Sequence, residues 1–242
     1  MPKIDALDQG SSTQQNALNH QAIEDYLKSI YTLAEVESPV STSRLAAARD
    51  VKPASVTSMV QRLAKLNLVD YEKHYGVVLT ESGEKIALEV IRHHRLLELY
   101  LSEALGFGWD EVHEQADLLE HVISEKLEER IAAVLGNPTH DPHGDPIPAK
   151  DGTIVHQETR PLTAVSPGER VTITRIPDDG NSERLRYLAE LGLMPGTEII
   201  VTAVAPFDGP ISFTIADDNK VIDSQVIGNT IAQAVLVSDA PL

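Results

Sequence analysis

The sequence predicts a multidomain protein that is mainly α-helical in its N-terminal two-thirds and ends in a small β-barrel. Three observations indicate this organisation. Apolar residues recur at helical spacing from about residue 22 to residue 135. The segment 137–154 is rich in Pro, Gly and Asp and interrupts that pattern. From about Pro161 onward, short β-branched runs alternate with turns, apart from one helical segment, SERLRYLAELGL.

Composition limits the classes of protein that remain. A chain of 242 residues is long enough for several domains with their own cores. It contains no cysteine, which excludes disulfides, thiolate metal sites and thiol catalysis. The first 19 residues are polar and are expected to form a disordered tail, not a signal peptide. No apolar run is long enough to span a bilayer, so we expect a soluble, cytoplasmic protein without a membrane partner.

A basic segment lies inside an acidic chain. The net charge of −17 argues, taken alone, against nucleic-acid binding. Residues 44–65, however, carry several basic side chains, and Asp50 is the one acid among them. Such a local concentration of positive charge is typical of a surface that contacts DNA.

The same segment has the order of a helix-turn-helix. A helix is predicted over 22–35, a short second helix over 44–48 after possible N-caps at 41–43, and a third helix from about Ala54. Small polar side chains stand at the start of the third helix, as in DNA-reading helices. The hairpin that follows, turning near 73–76, resembles the wing of a winged helix. A small helical domain with a hairpin and no DNA role is the alternative. The predicted DNA contacts are Arg44, Lys52, Pro53, Ser55, Thr57, Ser58 and Arg62.

Two further helices, predicted over 81–105 and 109–135, carry acids and histidines at helical spacing. His94 and Glu98 lie one turn apart on the first. The second aligns four polar side chains on one stripe, namely His113, Asp117, Glu120 and His121. For an isolated helix, a solvated face is the simplest interpretation of such a stripe. The two helices also present more apolar surface than they can bury against each other, which indicates a homodimer. His140 and His143, among prolines, are expected to be solvated.

Several sequence strings, in this order, carry a family resemblance: IEDYLKSIY, ASVTSMVQRLAKLNLV, GVVLTESG, RHHRLLELYL, VHEQADLLEHVIS, HGDPIP and ERLRYLAELGLMPGTEI. From about residue 20 onward the chain resembles the diphtheria-toxin-repressor (DtxR/MntR) family of metal-dependent transcriptional regulators. The resemblance implies a winged helix-turn-helix domain over 20–80 and a helical metal-binding and dimerisation domain over 81–144. A linker over 145–160 and an SH3-like, FeoA-like domain over 161–242 would follow.

The resemblance also implies two metal sites per subunit. The primary site carries over to Asp25, Asp117, Glu120 and His121. The ancillary site carries over to His94, Glu98 and His113, with Glu183 of the third domain as the best candidate to complete it. Asn181 and Arg184 stand near positions where some relatives place ligands. Lys28 replaces a carboxylate of the manganese regulators, so a closely bridged metal pair is not expected.

The function implied is a homodimeric, metal-activated DNA-binding regulator that represses metal-uptake genes at inverted-repeat operators. Imidazole and carboxylate donors without thiolate suit Mn²⁺ or Fe²⁺. Iron-tuned family members commonly have Met and Cys at the positions of Asp25 and Asp117, so Mn²⁺ is the expected activator and an iron-dependent regulator is the alternative. Two other classes remain: a winged-helix regulator that senses an organic ligand, and a metal-dependent hydrolase. The chain has no HExxH motif, nucleophile elbow or phosphate loop, so it is not expected to be an enzyme.

Overall fold

The computed structural model of the chain describes residues 5–177, 180–216 and 224–239. The chain forms two compact units. The first comprises residues 1–92 with 150–152, and the second comprises residues 93–149 with 153–242.

The first unit has the predicted helix-turn-helix order. Its elements are α1 (Asp5–Ala34), α2 (Thr42–Ala48), α3 (Pro53–Lys65), β1 (Val69–Glu72), β2 (Gly76–Leu79) and the first part of α4 (Glu81–Leu105). The Ser41 side chain accepts a hydrogen bond from the Arg44 N–H at the start of α2. Pro53 occupies the first turn of α3, where its missing N–H is not needed. Fully buried side chains of α1, α2 and α3 form the core, including Leu27, Ile30, Leu45, Val56, Val60 and Leu63.

The wing is an antiparallel hairpin of β1 and β2, in register from Val69↔Leu79 to Glu72↔Gly76. Val40 exchanges two backbone hydrogen bonds of 2.9 Å with Val77, which ties the segment before α2 to the hairpin. Gly76 has φ +130°, and a Cβ there would lie 2.8 Å from the Val40 carbonyl oxygen. Only glycine therefore fits at this contact, and the predicted hairpin with its turn at 73–76 is confirmed.

The N-terminal tail differs from the prediction. The helix α1 begins at Asp5, so residues 5–19, expected to be disordered, have a helical backbone, while residues 1–4 lie outside the described residues. No proline interrupts the chain between Pro2 and Pro39. Lengthening an existing helix adds one backbone hydrogen bond per residue without a new nucleation step, so the amphipathic helix extends backwards.

The second unit begins with the part of α4 from His93 onward and continues with α5 (Val112–Leu119) and α6 (Glu125–Val134). The single helix predicted over 109–135 is therefore wrong, because residues 120–124 leave the helical path. Ser124 accepts a hydrogen bond from the Leu127 N–H, and Glu125 lies in the first turn of α6. A serine cap followed by acids starts a new helix, although the apolar periodicity continues across the break.

The C-terminal part is a six-stranded antiparallel sheet with two helices. Its elements are β3 (Arg160–Pro161), β4 (Arg170–Arg175), α7 (Ser182–Glu190), β5 (Glu198–Val204), β6 (Ile211–Ile215), β7 (Gln225–Ile227), α8 (Asn229–Ala232) and β8 (Leu236–Asp239). The strand order is β3-β8-β4-β5-β6-β7. Within the described residues β3 and β7 remain edges, so the sheet is not the closed barrel that was predicted. These edge strands have two and three residues, too few to close the sheet. The core of the sheet includes Phe213, Ile173 and Leu185, and Trp109 packs into it.

The Pro-rich segment before the sheet is folded against it. The Asp141 carboxylate accepts N–H bonds from His143 (2.8 Å) and Asp145 (2.9 Å). The Ile176 N–H donates to the His143 carbonyl at 2.8 Å, and Arg175 pairs with Asp145 at 2.5 Å. Asp145, Ile147 and Pro148 are buried, so the segment 145–160, expected to be a linker, starts as packed structure.

Substitution of Gly144 tests this packing. It has φ +83°, and a Cβ there would lie 1.9 Å from the Thr174 carbonyl oxygen, whereas Gly136 has φ +75° and open space around it. We expect Gly136→Ala to destabilise the protein by about 1 kcal/mol, the strain of left-handed backbone alone. Gly144→Ala should cost about 3 kcal/mol or more, because it adds a backbone clash. Denaturant unfolding in chelator measures both, and equal losses would contradict the close approach at Gly144.

Candidate metal centre and nucleic-acid interface

His94 stands at the centre of a cluster of acids in the second unit. Its Nδ1 lies 2.5 Å from Glu120 Oε2 and 3.2 Å from Asp117 Oδ1. Its Nε2 lies 2.9 Å from Glu98 Oε1. Helix α4 supplies His94 and Glu98 from successive turns, while Asp117 and Glu120 come from the end of α5 and the turn after it. Each ring nitrogen of His94 therefore has a carboxylate within hydrogen-bonding distance.

Two more predicted ligands complete the cluster. His113 Nδ1 lies 3.1 Å from His94 Nε2 and 3.2 Å from Glu98 Oε1, and its Nε2 lies 3.6 Å from Asp117 Oδ2. His121 Nε2 lies 3.3 Å from Glu120 Oε1. The structure thus brings together the six ligands that were predicted on the helices over 81–105 and 109–135. It also places the two predicted sets next to each other, with His94 in contact with both.

The cluster is buried to different depths. Glu98 and Glu120 are each 2% exposed and His94 is 5% exposed, whereas half of the Asp117 side chain is open to solvent. A buried carboxylate is unfavourable unless a cation or hydrogen-bond donors accompany it. Imidazoles of His94, His113, His121 and His143 lie beside these two glutamates. The donor set is rich in negative charge, and its inner members are shielded from water.

Two further candidate ligands, His143 and Asp141, were not predicted from the sequence. His143, expected to be solvated, is 1% exposed, and its ring stacks on Trp109 with centroids 5.5 Å apart. His143 Nε2 lies 2.7 Å from the Trp109 carbonyl oxygen, and Nδ1 lies 3.8 Å from Glu98 Oε2. Ligand atoms of Glu98, Asp141 and His143 all lie within 4.8 Å of one another.

When His143 is neutral and donates its Nε2–H to the Trp109 carbonyl, its Nδ1 lone pair is available to a metal ion on the side of Glu98. Metal-binding histidines commonly donate their second ring N–H to such a carbonyl, which fixes the orientation of the ring. His143 and Asp141 are therefore oriented as ligands. The sequence offered no spacing signal for them, because they approach Glu98 only through the folding of the loop onto the sheet.

The ionisation of this group follows from its burial and its neighbours. Burial acts to raise the pKa of Glu98, but the charge of His94 and hydrogen bonds with His113, His143 and His94 outweigh it and hold that pKa well below its usual value. Burial, together with the charges of Asp145 and Glu98, raises the pKa of Asp141 to about 8, against the opposing effect of His143 and Arg95.

His143 is shifted in the same direction. Burial acts to lower its pKa, but the hydrogen bond and charge of Glu98, the charge of Asp141 and the Trp109 carbonyl raise it to about 9. At neutral pH the metal-free group therefore holds protons on His143 and Asp141, and the Glu98 carboxylate carries the negative charge that pairs with the imidazolium.

Glu183, predicted to complete the ancillary site, lies in the first turn of α7 and is exposed. Asn181 caps that helix by accepting the Arg184 N–H at 2.9 Å, and Arg184 donates to the Pro177 carbonyl. None of the metal-capable clusters found among the described residues includes Glu183. Its role as a ligand stays a prediction.

Asp25, the remaining predicted ligand, lies on α1 in the first unit. Its carboxylate pairs with Arg49, with Nη2 at 3.0 Å from Oδ2. Arg49 was counted in the basic segment of the sequence, yet the structure uses it inside the unit. The positive charge available for DNA is correspondingly smaller than the sequence suggested.

The predicted DNA contacts surround the start and one face of α3. Lys52 is the N-cap residue of α3 and makes no side-chain capping bond. Five of the predicted contacts are exposed, namely Lys52, Pro53, Ser55, Ser58 and Arg62.

Three of the predicted contacts form hydrogen bonds within the first unit. The hydroxyl of Thr57 donates to the Pro53 carbonyl at 3.0 Å, and Arg62 donates to Asn19 Oδ1 at 3.3 Å. Arg44 pairs with Glu37 at 2.9 Å. The arrangement presents small polar groups at the helix N-terminus and cations beside them, as a DNA-reading helix requires.

Comparison with known proteins agrees with the fold and the site. The family described as iron dependent repressor, N-terminal DNA binding domain matches residues 20–77. The family described as iron dependent repressor, metal binding and dimerisation domain matches residues 80–149, and the FeoA domain matches residues 160–239.

Individual relatives match large parts of the chain. It is 31% identical over 193 residues to the iron-dependent repressor IdeR of Mycobacterium bovis, covering 74% of this chain and 82% of that protein. It is 40% identical over 110 residues to the regulator MntR of Oceanobacillus iheyensis, covering 46% of this chain and 74% of that protein. The structure of a manganese-dependent transcriptional repressor in complex with manganese matches with a TM-score of 0.81 at 40% identity, covering 90% of this chain and all of that one.

The chain therefore belongs to the iron-dependent repressor family, whose members are metal-dependent transcriptional repressors and not enzymes. The predicted winged helix-turn-helix, metal-binding and dimerisation domain and FeoA-like domain are confirmed, and the hydrolase alternative falls away. No helix among the described residues is long and apolar enough to cross a membrane.

The protonation of His143 and Asp141 gives a pH dependence. Their pKa values of about 9 and about 8 mean that metal binding to Glu98, Asp141 and His143 at neutral pH must release protons. Affinity should therefore rise from about pH 6 to about pH 8.5, by up to roughly tenfold per pH unit for each proton released.

Calorimetric titration of Mn²⁺ in buffers of different ionisation heat measures the protons released. The variant His143→Gln should release about one proton fewer at neutral pH. His140→Gln, a change in the same loop, is the matched control. Proton release that is unchanged in His143→Gln would show that His143 is not a ligand.

Proposed function

We propose that the chain is a Mn²⁺-activated, homodimeric transcriptional repressor that binds an inverted-repeat operator and controls metal-uptake genes. The observation that carries the proposal is the position of His94, held between the buried carboxylates of Glu98 and Glu120. A cluster of this composition, on helices of a metal-binding and dimerisation domain, is suited to bind divalent cations.

We place two ions in each subunit. The first takes Asp117, Glu120 and His121, joined by Asp25. The second takes His94, Glu98 and His113, and the loop residues Asp141 and His143 supply further donors, in addition to Glu183, which the family resemblance implied. His94 contacts acids of both sets, so one imidazole couples the two sites.

The donors fit the metal. They are imidazole nitrogens and carboxylate oxygens, and the chain has no cysteine that would favour zinc or copper. Mn²⁺ binds more weakly than the later divalent metals, so a protein favours it by withholding soft donors. Asp25 and Asp117 offer oxygen donors and no soft sulfur donor at these two positions. Fe²⁺, which accepts the same donors, is the alternative activator.

An apolar surface on the second unit supports a homodimer. Leu118, Val122 and Val134 are each more than 70% exposed, and Leu127 is about half exposed. Side chains of this size exposed together indicate a surface that a partner covers. Two copies related by a twofold axis would present two α3 helices with the symmetry of an inverted repeat.

The metal-binding side chains act by changing which conformation of the protein is populated. Without metal, the carboxylates of Glu98, Glu120 and Asp117 are held close to one another around His94, which is unfavourable because like charges repel. A bound divalent cation adds two positive charges among these carboxylates. Asp25 lies on α1, the helix that packs against the helix-turn-helix, so its use as a ligand would favour one arrangement of the reading helices. Because the regulated DNA is in the cytoplasm, we place the protein there.

Operator binding tests the proposal. The variant His121→Ala should bind Mn²⁺ at least about tenfold more weakly and lose Mn²⁺-activated DNA binding while remaining a folded dimer. His140→Ala, in the Pro-rich loop, is the matched control and should bind as the parent does. Fluorescence anisotropy of a labelled inverted repeat, titrated in Mn²⁺, in anaerobic Fe²⁺ and in chelator, measures the response.

The same titrations separate the alternatives. Equal operator affinity in Mn²⁺ and in chelator would show that a metal is not the signal and would favour an organic ligand. Activation by Fe²⁺ at lower free concentration than Mn²⁺ would make the protein an iron regulator. Parent-like activation of His121→Ala would contradict the assignment of the first site.

A further inference from the structure

Arg49 is fixed to helix α1 by three acceptors. Its Nη2 donates to Asp25 Oδ2 at 3.0 Å, and its Nη1 donates to the Asp25 carbonyl and to Ser29 Oγ, each at 3.2 Å. Its guanidinium carbon lies 4.9 Å from the centre of the Tyr26 ring. Arg49 is also the C-cap residue of α2, so one side chain connects the helix that bears Asp25 to the helix-turn-helix.

This pair differs from an ordinary surface ion pair. The Arg49 and Asp25 side chains are 25% and 24% exposed, whereas Glu37 in the Arg44 pair is 70% exposed. The two residues are 24 positions apart in sequence, so tertiary packing and not helical spacing brings them together. A partly buried pair that is held at several points keeps more of its electrostatic attraction than an exposed pair.

We infer that Arg49 is an internal counter-cation that competes with the metal for Asp25 and thereby lowers the metal affinity of the protein. The inference rests on the proposed function, in which Asp25 is a metal ligand. Arg49 occupies the carboxylate when the metal does not, and it sets the metal concentration at which the regulator is activated.

The physical reason is charge. A carboxylate that already pairs with a guanidinium offers less negative potential to a divalent cation, and the guanidinium itself repels that cation. Arginine carries its positive charge on a planar group with several N–H donors, which can hold a carboxylate and neighbouring acceptors together. Because the backbone carbonyl of Asp25 and Ser29 Oγ also hold the guanidinium, it stays near the carboxylate and its charge remains close to the ligand.

The experiment compares Mn²⁺ affinity by calorimetry in the parent, Arg49→Met and Arg49→Gln, at one pH and salt concentration. Both variants remove the charge, and either suffices if the other does not fold. We expect each to bind Mn²⁺ about tenfold more tightly, the effect of losing one charge-assisted bond that competes with the ligand. Arg49→Lys keeps the charge and should stay within about threefold of the parent. Lys85→Met, which removes an exposed cation of the same unit, is the matched control and should match the parent.

Thermal unfolding gives a second measurement. In chelator the Arg49→Met protein should unfold at a lower temperature than the parent, because Asp25 has lost its partner. Its stabilisation by saturating Mn²⁺ should be larger than that of the parent. A purely structural Arg49 would lower both melting temperatures equally.

The outcomes distinguish the two proposals. A parent that does not bind Mn²⁺ contradicts the proposed function and removes the basis of this inference. A parent that binds Mn²⁺, with Arg49 variants that bind equally or more weakly, overturns the inference alone, because Arg49 then supports the ligand and does not compete for it. Tightening that persists in an Asp25→Ala background also overturns it, because the effect would then come from overall charge.

Discussion

The contact on which the structure of the candidate site depends is the one between the two ring nitrogens of His94 and two buried carboxylates. Glu120 faces Nδ1 at 2.5 Å and Glu98 faces Nε2 at 2.9 Å. Asp117 lies beside the same imidazole, and His113, His121 and His143 contact the two glutamates. The helical domain therefore gathers carboxylates and imidazoles in one buried cluster, and this donor set is the property that suits the domain to bind divalent cations.

The third domain is attached to the same cluster through the loop 139–148. The ring of His143 approaches Glu98, and its carbonyl oxygen accepts a hydrogen bond from the Ile176 N–H of the third domain. Gly144 allows the loop to approach the Thr174 carbonyl, and Trp109, beside α5, fills the core of the sheet. Ligand geometry and domain docking consequently depend on the same few residues. In the first unit, the side chain of Arg49 connects Asp25 on α1 to α2 of the helix-turn-helix.

The sequence was sufficient where local chemistry decides the structure. The possible caps at 41–43 and the turn at 73–76 predicted the winged helix. The spacing of the acids and histidines placed them on common helix faces, and the family resemblance predicted that they are ligands, which the fold brings together. Three features were not predictable from local patterns. The break between α5 and α6 is hidden because the apolar period continues through it. His143 is buried by docking onto the sheet, and Arg49 finds Asp25 only through the packing of α2 against α1.

The most direct test of the central claim, that this cluster of acids and histidines is a binding site for two metal ions, is anomalous diffraction at the manganese edge from crystals of the Mn²⁺-loaded protein. The account predicts two peaks per chain in the second unit. One should lie at Asp117, Glu120 and His121, and the other at His94, Glu98 and His113, beside Asp141 and His143. Peaks only at the protein surface, or no peak beside Glu98 and Glu120, would contradict it.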